Sequence, residues 1–183
     1  LGFDPYADAG RKHSQLASHI CTNIQVRYPE FCRERAEVDD YRHLKPGFGW
    51  LEHVEIDMEP RCDDGTLPAD SSIIQWSRLL FDATERAYRP LAYNHETGPM
   101  LQRAGFVDIK EEVIKIPLNP WESDPHQKDI GRWYNLGLTQ GLEALTTAPL
   151  TRMSQWTKAD VDRLIADVKR EVCSKRFHVY CNM

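Results

Sequence analysis

The chain has 183 residues, enough for one domain with its own core, and its 41% apolar and 28% charged residues are ordinary for a globular protein. With 23 Lys and Arg against 28 Asp and Glu, the net charge is -5, which argues against a general nucleic-acid binder needing a basic face for phosphate. No apolar run is long enough to span a bilayer, and five cysteines without a C-x-x-C pair suggest neither a disulfide framework nor a zinc ribbon; a reducing, intracellular compartment is expected.

Residues 1–42 carry little pattern and form the first expected segment, with a helix or strand over Leu16–Val26 and a charged helix over Glu30–Tyr41. The turn Lys45-Pro46-Gly47 opens the second, residues 43–183. Trp50, Val54, Ile56 and Met58 then alternate with His53, Glu55, Asp57 and Glu59, which predicts a strand; Glu52 is the one misfit on the apolar face. After a loop containing Asp64-Gly65, Ser72 and Gln75 match a capping box. Ile73, Trp76, Leu80, Ala83 and Ala87 behind it predict an amphipathic helix ending before Pro90.

A short helix closes at Ala104-Gly105, and Phe106–Leu118 reads as extended. Ser123-Asp124-Pro125 starts a helix running through Trp133, Leu136 and Leu138, weakened by Gly131, Gly137 and Gly141. Thr157–Asp160 opens another, with Val161, Leu164, Ile165, Val168 and Val172 on one stripe. A strand begins at Phe177. The order strand, helix, helix, strand, two helices, strand predicts an α/β fold with helices over a sheet.

Met100-Leu101-Gln102-Arg103-Ala104-Gly105-Phe106 matches the late helix and following turn of class I S-adenosylmethionine-dependent methyltransferases, as Lys45-Pro46-Gly47 matches the turn before their fifth strand. The longer runs LKPGFGWLEHVEIDMEPRCDDGTLP, PLNPWESDPHQKDIGRWYNLGLTQGLEAL and REVCSKRFHVYCNM resemble the LaeA-type fungal regulators of secondary metabolism, and the likeness covers His43 to Met183. The resemblance implies a Rossmann-like sheet with helices on both faces and an antiparallel last strand. It also implies S-adenosyl-L-methionine as cofactor, a protein methyl acceptor, nuclear localisation, and velvet-domain proteins as partners in regulating secondary metabolism and development.

One departure stands out. The family carries a glycine-rich D-x-G-x-G loop after its first strand, where bare backbone lets the cofactor approach. Before Gly47 this chain has only Gly2 and Gly10, so no cofactor-binding residue is identifiable and the early strands are expected to be missing. The expectation is the C-terminal part of a methyltransferase domain, inactive on its own; the alternative is a non-catalytic scaffold for velvet-domain proteins.

In open α/β sheets, ligands bind beyond the carboxyl ends of the parallel strands. His53, Glu55 and Asp57 are therefore candidates for a polar wall of the acceptor pocket, against the reading of a solvent-facing or helix-covered strand face. Trp133 and Tyr134, with Trp121, are candidates for an aromatic lid, against ordinary core packing. Cys62 could be a nucleophile but has no histidine adjacent in sequence, and a plain thiol is the simpler reading. The seven histidines show no H-x-x-x-H spacing, so no metal site is expected.

Overall fold

The computed structural model describes residues 23–27, 44, 47–92 and 94–183. In chain order the elements are β1 (Asn23–Arg27), β2 (Trp50–His53), α1 (Ser72–Arg86), α2 (Thr97–Arg103), β3 (Val107–Glu112), β4 (Lys115–Pro117), α3 (Pro125–Met153), α4 (Lys158–Val172) and β5 (Tyr180–Asn182). The mixed α/β composition is as expected. The expected single sheet is not: the described strands form two, one ordered β2-β1-β3 and one pairing β4 with β5, all antiparallel. Asn23–Arg27 lies within the stretch read as helix or strand and is a strand. The charged stretch Glu30–Tyr41 lies outside the described residues.

The strand predicted from Trp50 to Met58 is shorter, and its predicted faces are not kept. Only Trp50–His53 pairs in the first sheet, in register with β1 from Arg27↔Trp50 to Ile24↔His53. Trp50 (58% exposed) and Val54 (50%) face outward, while Glu55 (8%) and Asp57 (4%) are buried. Ile56 and Met58 nevertheless pack partly buried against the main core, so beyond His53 the alternation does not sort a polar face from an apolar one. The reason is long-range pairing: past His53 the chain leaves β1 and runs beside β5. There the Asp57 N–H donates to the Asn182 carbonyl at 2.9 Å, and Arg61 exchanges backbone bonds with Tyr180 at 2.8 and 3.0 Å. The Asp57 carboxylate also accepts from the Asn182 N–H at 3.1 Å, so its burial is compensated.

The extended stretch Phe106–Leu118 divides for a similar reason. Val107–Glu112 pairs with β1, whereas Ile114 exchanges backbone bonds with Met183 at 2.7 and 2.8 Å and starts the ladder of β4 with β5. β5 thus lies between residues 57–61 and β4, antiparallel to both.

The helices follow their stripes. Ile73, Trp76, Leu80 and Ala83 of α1 pack with Leu138, Leu142 and Leu150 of α3 and with the whole predicted stripe of α4, closing over Leu118, Val179 and Cys181. The Trp76 indole N–H donates to Thr146 Oγ1 at 2.8 Å, so this apolar contact carries no orphan donor. A smaller cluster, Leu101 and Phe106 with Leu44, Leu51, Ala104 and Ile109, joins α2 to the first sheet.

The helix starts sit close to where the sequence put them. Asp124 caps α3, accepting from the Gln127 N–H at 2.8 Å, with Pro125 in the first turn. Gly105 follows the end of α2 with φ 90°, which a side chain would resist. The cap of α1 is Ser71 rather than Ser72. Ser71 Oγ accepts from the Ile73 N–H at 3.1 Å, and its partner in place of Gln75 is Glu171 of α4, 2.6 Å from Ser71 Oγ and 3.1 Å from the Ile73 N–H.

Candidate functional site

Arg61 and Pro117 both pair with Tyr180, from opposite sides of β5. Both flanking segments are antiparallel to β5, so their carboxyl ends lie at the same end of the sheet. The loops leaving them, with the start of β5, enclose a cavity of about 220 Å³ lined by Asp63, Asp64, Lys115, Pro117, Trp121, Glu122, His178 and Tyr180.

Its walls are built by the turn after Arg61. Gly65 has φ 72°, the left-handed conformation that suits glycine, and turns the chain back so that Thr66 faces Asp64. Asp64 Oδ1 accepts from the Thr66 hydroxyl at 2.8 Å, the Thr66 N–H at 3.1 Å and the Cys62 thiol at 3.1 Å. Its other oxygen contacts His178 Nδ1, and the His178 N–H donates to Thr66 Oγ1 at 2.9 Å. These donors, the Cys62 thiol first, hold the Asp64 carboxyl well below the usual range. Trp121 stacks on the His178 ring with centroids 4.6 Å apart, and its indole N–H is anchored to the Val179 carbonyl at 3.2 Å.

The second half of the cavity is an ion pair under an aromatic ring. Lys115 Nζ lies 2.6 Å from Asp63 Oδ2 and 4.3 Å from the centroid of Tyr180, whose hydroxyl donates to Asp63 Oδ1 at 2.7 Å. The Lys115 hydrogen bond lowers the Asp63 carboxyl, and Asp63 in turn raises the Lys115 ammonium. Burial comes first in pushing the Tyr180 hydroxyl up.

His53, Glu55 and Asp57 do not line this cavity. His53 Nε2 is 2.9 Å from Glu55 Oε1, and Asp57 pairs with Arg61 at 2.5 Å. Burial works to lower the Arg61 guanidinium, but the hydrogen bond and charge of Asp57 outweigh it and leave the group raised. Asp57 clips the 53–61 segment to β5 through Asn182, while His53 and Glu55 pair with each other within the segment. The aromatic candidates separate as well. Trp133 is 74% exposed on α3, outside both the main core and the lining of this cavity. Tyr134 is half-buried beside the main core, its hydroxyl accepting from the Cys181 thiol at 3.4 Å, with burial pushing that thiol up to about 12. Only Trp121 reaches the cavity. Cys62 is a free thiol bonded to Asp64, and among the described residues no group of three His, Cys, Asp or Glu stands ready to hold a metal ion.

The residues missed by sequence reasoning are Asp63, Asp64, Lys115, Glu122, His178 and Tyr180. The only local signal is Asp64-Gly65, which marks a turn. Asp64 and His178 meet across 114 positions, and no spacing rule connects them.

The chain is similar to fungal proteins named secondary metabolism regulators. It is 62% identical over 144 residues to regulator LAE1 of Cochliobolus heterostrophus, covering 78% of this chain and 47% of the relative. It is 43% identical over 144 residues to regulator laeA of Gibberella zeae, covering 78% and 46%. It is also 43% identical over 148 residues to a protein of Chaetomium globosum named protein-methionine methyltransferase laeA, covering 80% and 46%. The chain therefore spans about half the length of these curated relatives. No family model matches it, and no solved structure does.

Proposed function

The chain is homologous to the LaeA/LAE1 secondary metabolism regulators of fungi, and from that premise we propose that it carries part of an S-adenosylmethionine-dependent protein methyltransferase acting in the same regulation. The carrying observation is the 43% identity over 148 residues to the relative named a protein-methionine methyltransferase. The antiparallel β5 between residues 57–61 and β4 supports a Rossmann-like sheet of this class. A methionine thioether has no proton to lose, so a site acting on one needs no general base; that agrees with His53 being paired with Glu55 and Asp57 with Arg61.

The residues of the cavity do not fit the cofactor itself. The cavity, about 220 Å³, is below the roughly 300–1,000 Å³ of small-molecule sites. The glycines before Gly47 are Gly2 and Gly10, which form no D-x-G-x-G loop. The proposal is that methyl transfer requires the glycine-rich half found in the family, with nuclear localisation and velvet-domain partners following from the same resemblance.

A second reading from the same resemblance is a methyltransferase-like scaffold that binds velvet-domain proteins without catalysis. Two measurements separate the readings. Calorimetric titration of S-adenosylmethionine into the 183-residue chain is expected to give no saturable heat. A chimera joining the glycine-rich half of the Cochliobolus heterostrophus relative to this chain is expected to transfer a labelled methyl group to protein. A folded, cofactor-binding chimera without transfer would leave the scaffold reading standing, and capture of velvet-domain proteins by the same chimera would support it.

A further inference from the structure

The cavity contains two acceptor-and-aromatic pairs side by side, and this chain fills only one of them. In the first, Asp63 and the Tyr180 ring hold the ammonium of Lys115. In the second, His178 and Glu122 stand beside the Trp121 ring. His178 Nδ1 is held against the Asp64 carboxylate, which fixes the imidazole ring against Trp121. Among the described residues no hydrogen bond or ion pair engages the Glu122 carboxylate.

We propose that this second half of the cavity binds a cationic side chain, a lysine or arginine, presented by a peptide segment of a protein partner. The size fits: about 220 Å³ admits one extended side chain and not a nucleotide. Charge fits too: of the three carboxylates lining the cavity, Asp63 is paired with Lys115 and Asp64 is held by His178 and its turn, which leaves Glu122 for an incoming cation. Lys115 shows within the same cavity which chemistry a carboxylate beside an aromatic ring holds there. The acceptors are also pre-set. Asp64 is tied by Cys62 and Thr66, His178 is clamped between Asp64 and Trp121, and Trp121 is anchored to Val179, so little order has to be imposed on binding. The site stands on this cavity and does not rest on the methyl-transfer reading.

The test is a titration of the 183-residue chain followed by nuclear magnetic resonance of the Trp121 indole N–H and the His178 ring. The probes are Nα-acetyl-lysine methylamide and Nα-acetyl-arginine methylamide. Their neutral counterparts, the norleucine and citrulline methylamides, are the controls. Saturable shifts at Trp121 and His178 with one or both cationic probes, absent with the controls, are expected, and the two cationic arms tell lysine from arginine. Glu122→Gln removes a carboxylate that makes no internal bond, so the fold is kept, and it is expected to weaken binding about twofold to fivefold. His178→Gln is the second variant and is expected to weaken it as well. No saturable shift with either cation, equal shifts from the neutral controls, or unchanged affinity in Glu122→Gln would each overturn the proposal.

Discussion

Gly131 and Gly137 lie in one helix and meet different surroundings. A Cβ on Gly131 would stand 2.5 Å from the Asn119 carbonyl oxygen and 2.8 Å from its carbon, both backbone atoms that cannot swing aside. A Cβ on Gly137 would meet nothing within 4 Å. Gly131→Ala is therefore expected to destabilise by about 1–3 kcal/mol through overpacking. Gly137→Ala is expected to stabilise by about 0.4–1 kcal/mol, by reducing the freedom of the unfolded chain. Urea unfolding checks both, as opposite shifts of the midpoint at unchanged slope. In the sequence the two glycines look alike, as helix-weakening residues, because helical period says nothing about the Asn119 carbonyl. Asp64 makes a related point about charge. Its carboxyl is depressed in the folded state, by the Cys62 thiol first and then Thr66 and His178. A depressed carboxyl adds stability above its unfolded pKa of about 3.9, and that stability drains away as pH falls below this value. Asp64→Asn is thus expected to be less stable than the parent at pH 6. The gap should narrow once pH passes below about 4, and a gap independent of pH would show that Asp64 contributes nothing by ionisation.

At the scale of elements, the joint between α1 and α4 combines a local signal with a remote one. Ser71 caps α1, and Glu171, near the end of α4, accepts from both Ser71 Oγ and the Ile73 N–H. A carboxylate at a helix N-terminus also meets the positive end of the helix dipole. Ser71→Ala is expected to cost about 0.5–2 kcal/mol. Because both side chains serve the same N–H, the costs of Ser71→Ala and Glu171→Gln should not add, and a double-mutant cycle by urea unfolding reads the difference. Additive costs would mean that the two groups act independently. A cap at this point is legible in the sequence, though placed at Ser72 with Gln75 as partner, because a capping box seeks its second member three residues on. Glu171 is 98 positions from Ile73 and leaves no local trace. The stripe of α4 is legible in full, and that of α1 except for Ala87, which lies past the helix end, because a helix buries what its own period lines up. Strand partners are not, since pairing is a long-range choice; the outward Trp50 and inward Asp57 are its visible result.

The whole molecule divides its apolar burial unequally. The larger cluster joins α1, α3, α4 and β5, with Leu118 just past β4, and five residues of α4 alone, Val161, Leu164, Ile165, Val168 and Val172, are each at most 7% exposed. The smaller has Leu101 and Phe106 fully buried, with Leu44, Leu51, Ala104 and Ile109 partly so. Burial of apolar area contributes about 25 cal/mol per Å², so the smaller cluster holds its elements with a fraction of the free energy of the larger. The first sheet is also largely open, every residue of β3 except Ile109 being exposed. Backbone pairing of β3 with β1 must then carry much of its order. The two clusters meet mainly through continuous chain, at residues 54–57 and 112–115, where each long predicted strand divides between the sheets. Opening the first sheet therefore need not break the ladder of β4 with β5. Native-state hydrogen exchange is expected to find amides of β3, Ile109 and Lys110 among them, exchanging through an opening of lower free energy than those of Leu164 and Val168. Low concentrations of denaturant should leave the β3 openings almost unchanged while lowering those of α4, because a local opening exposes less surface than a global one. Merging of both sets onto one opening, with one denaturant slope, would mean that the small cluster and the large one unfold as a single unit.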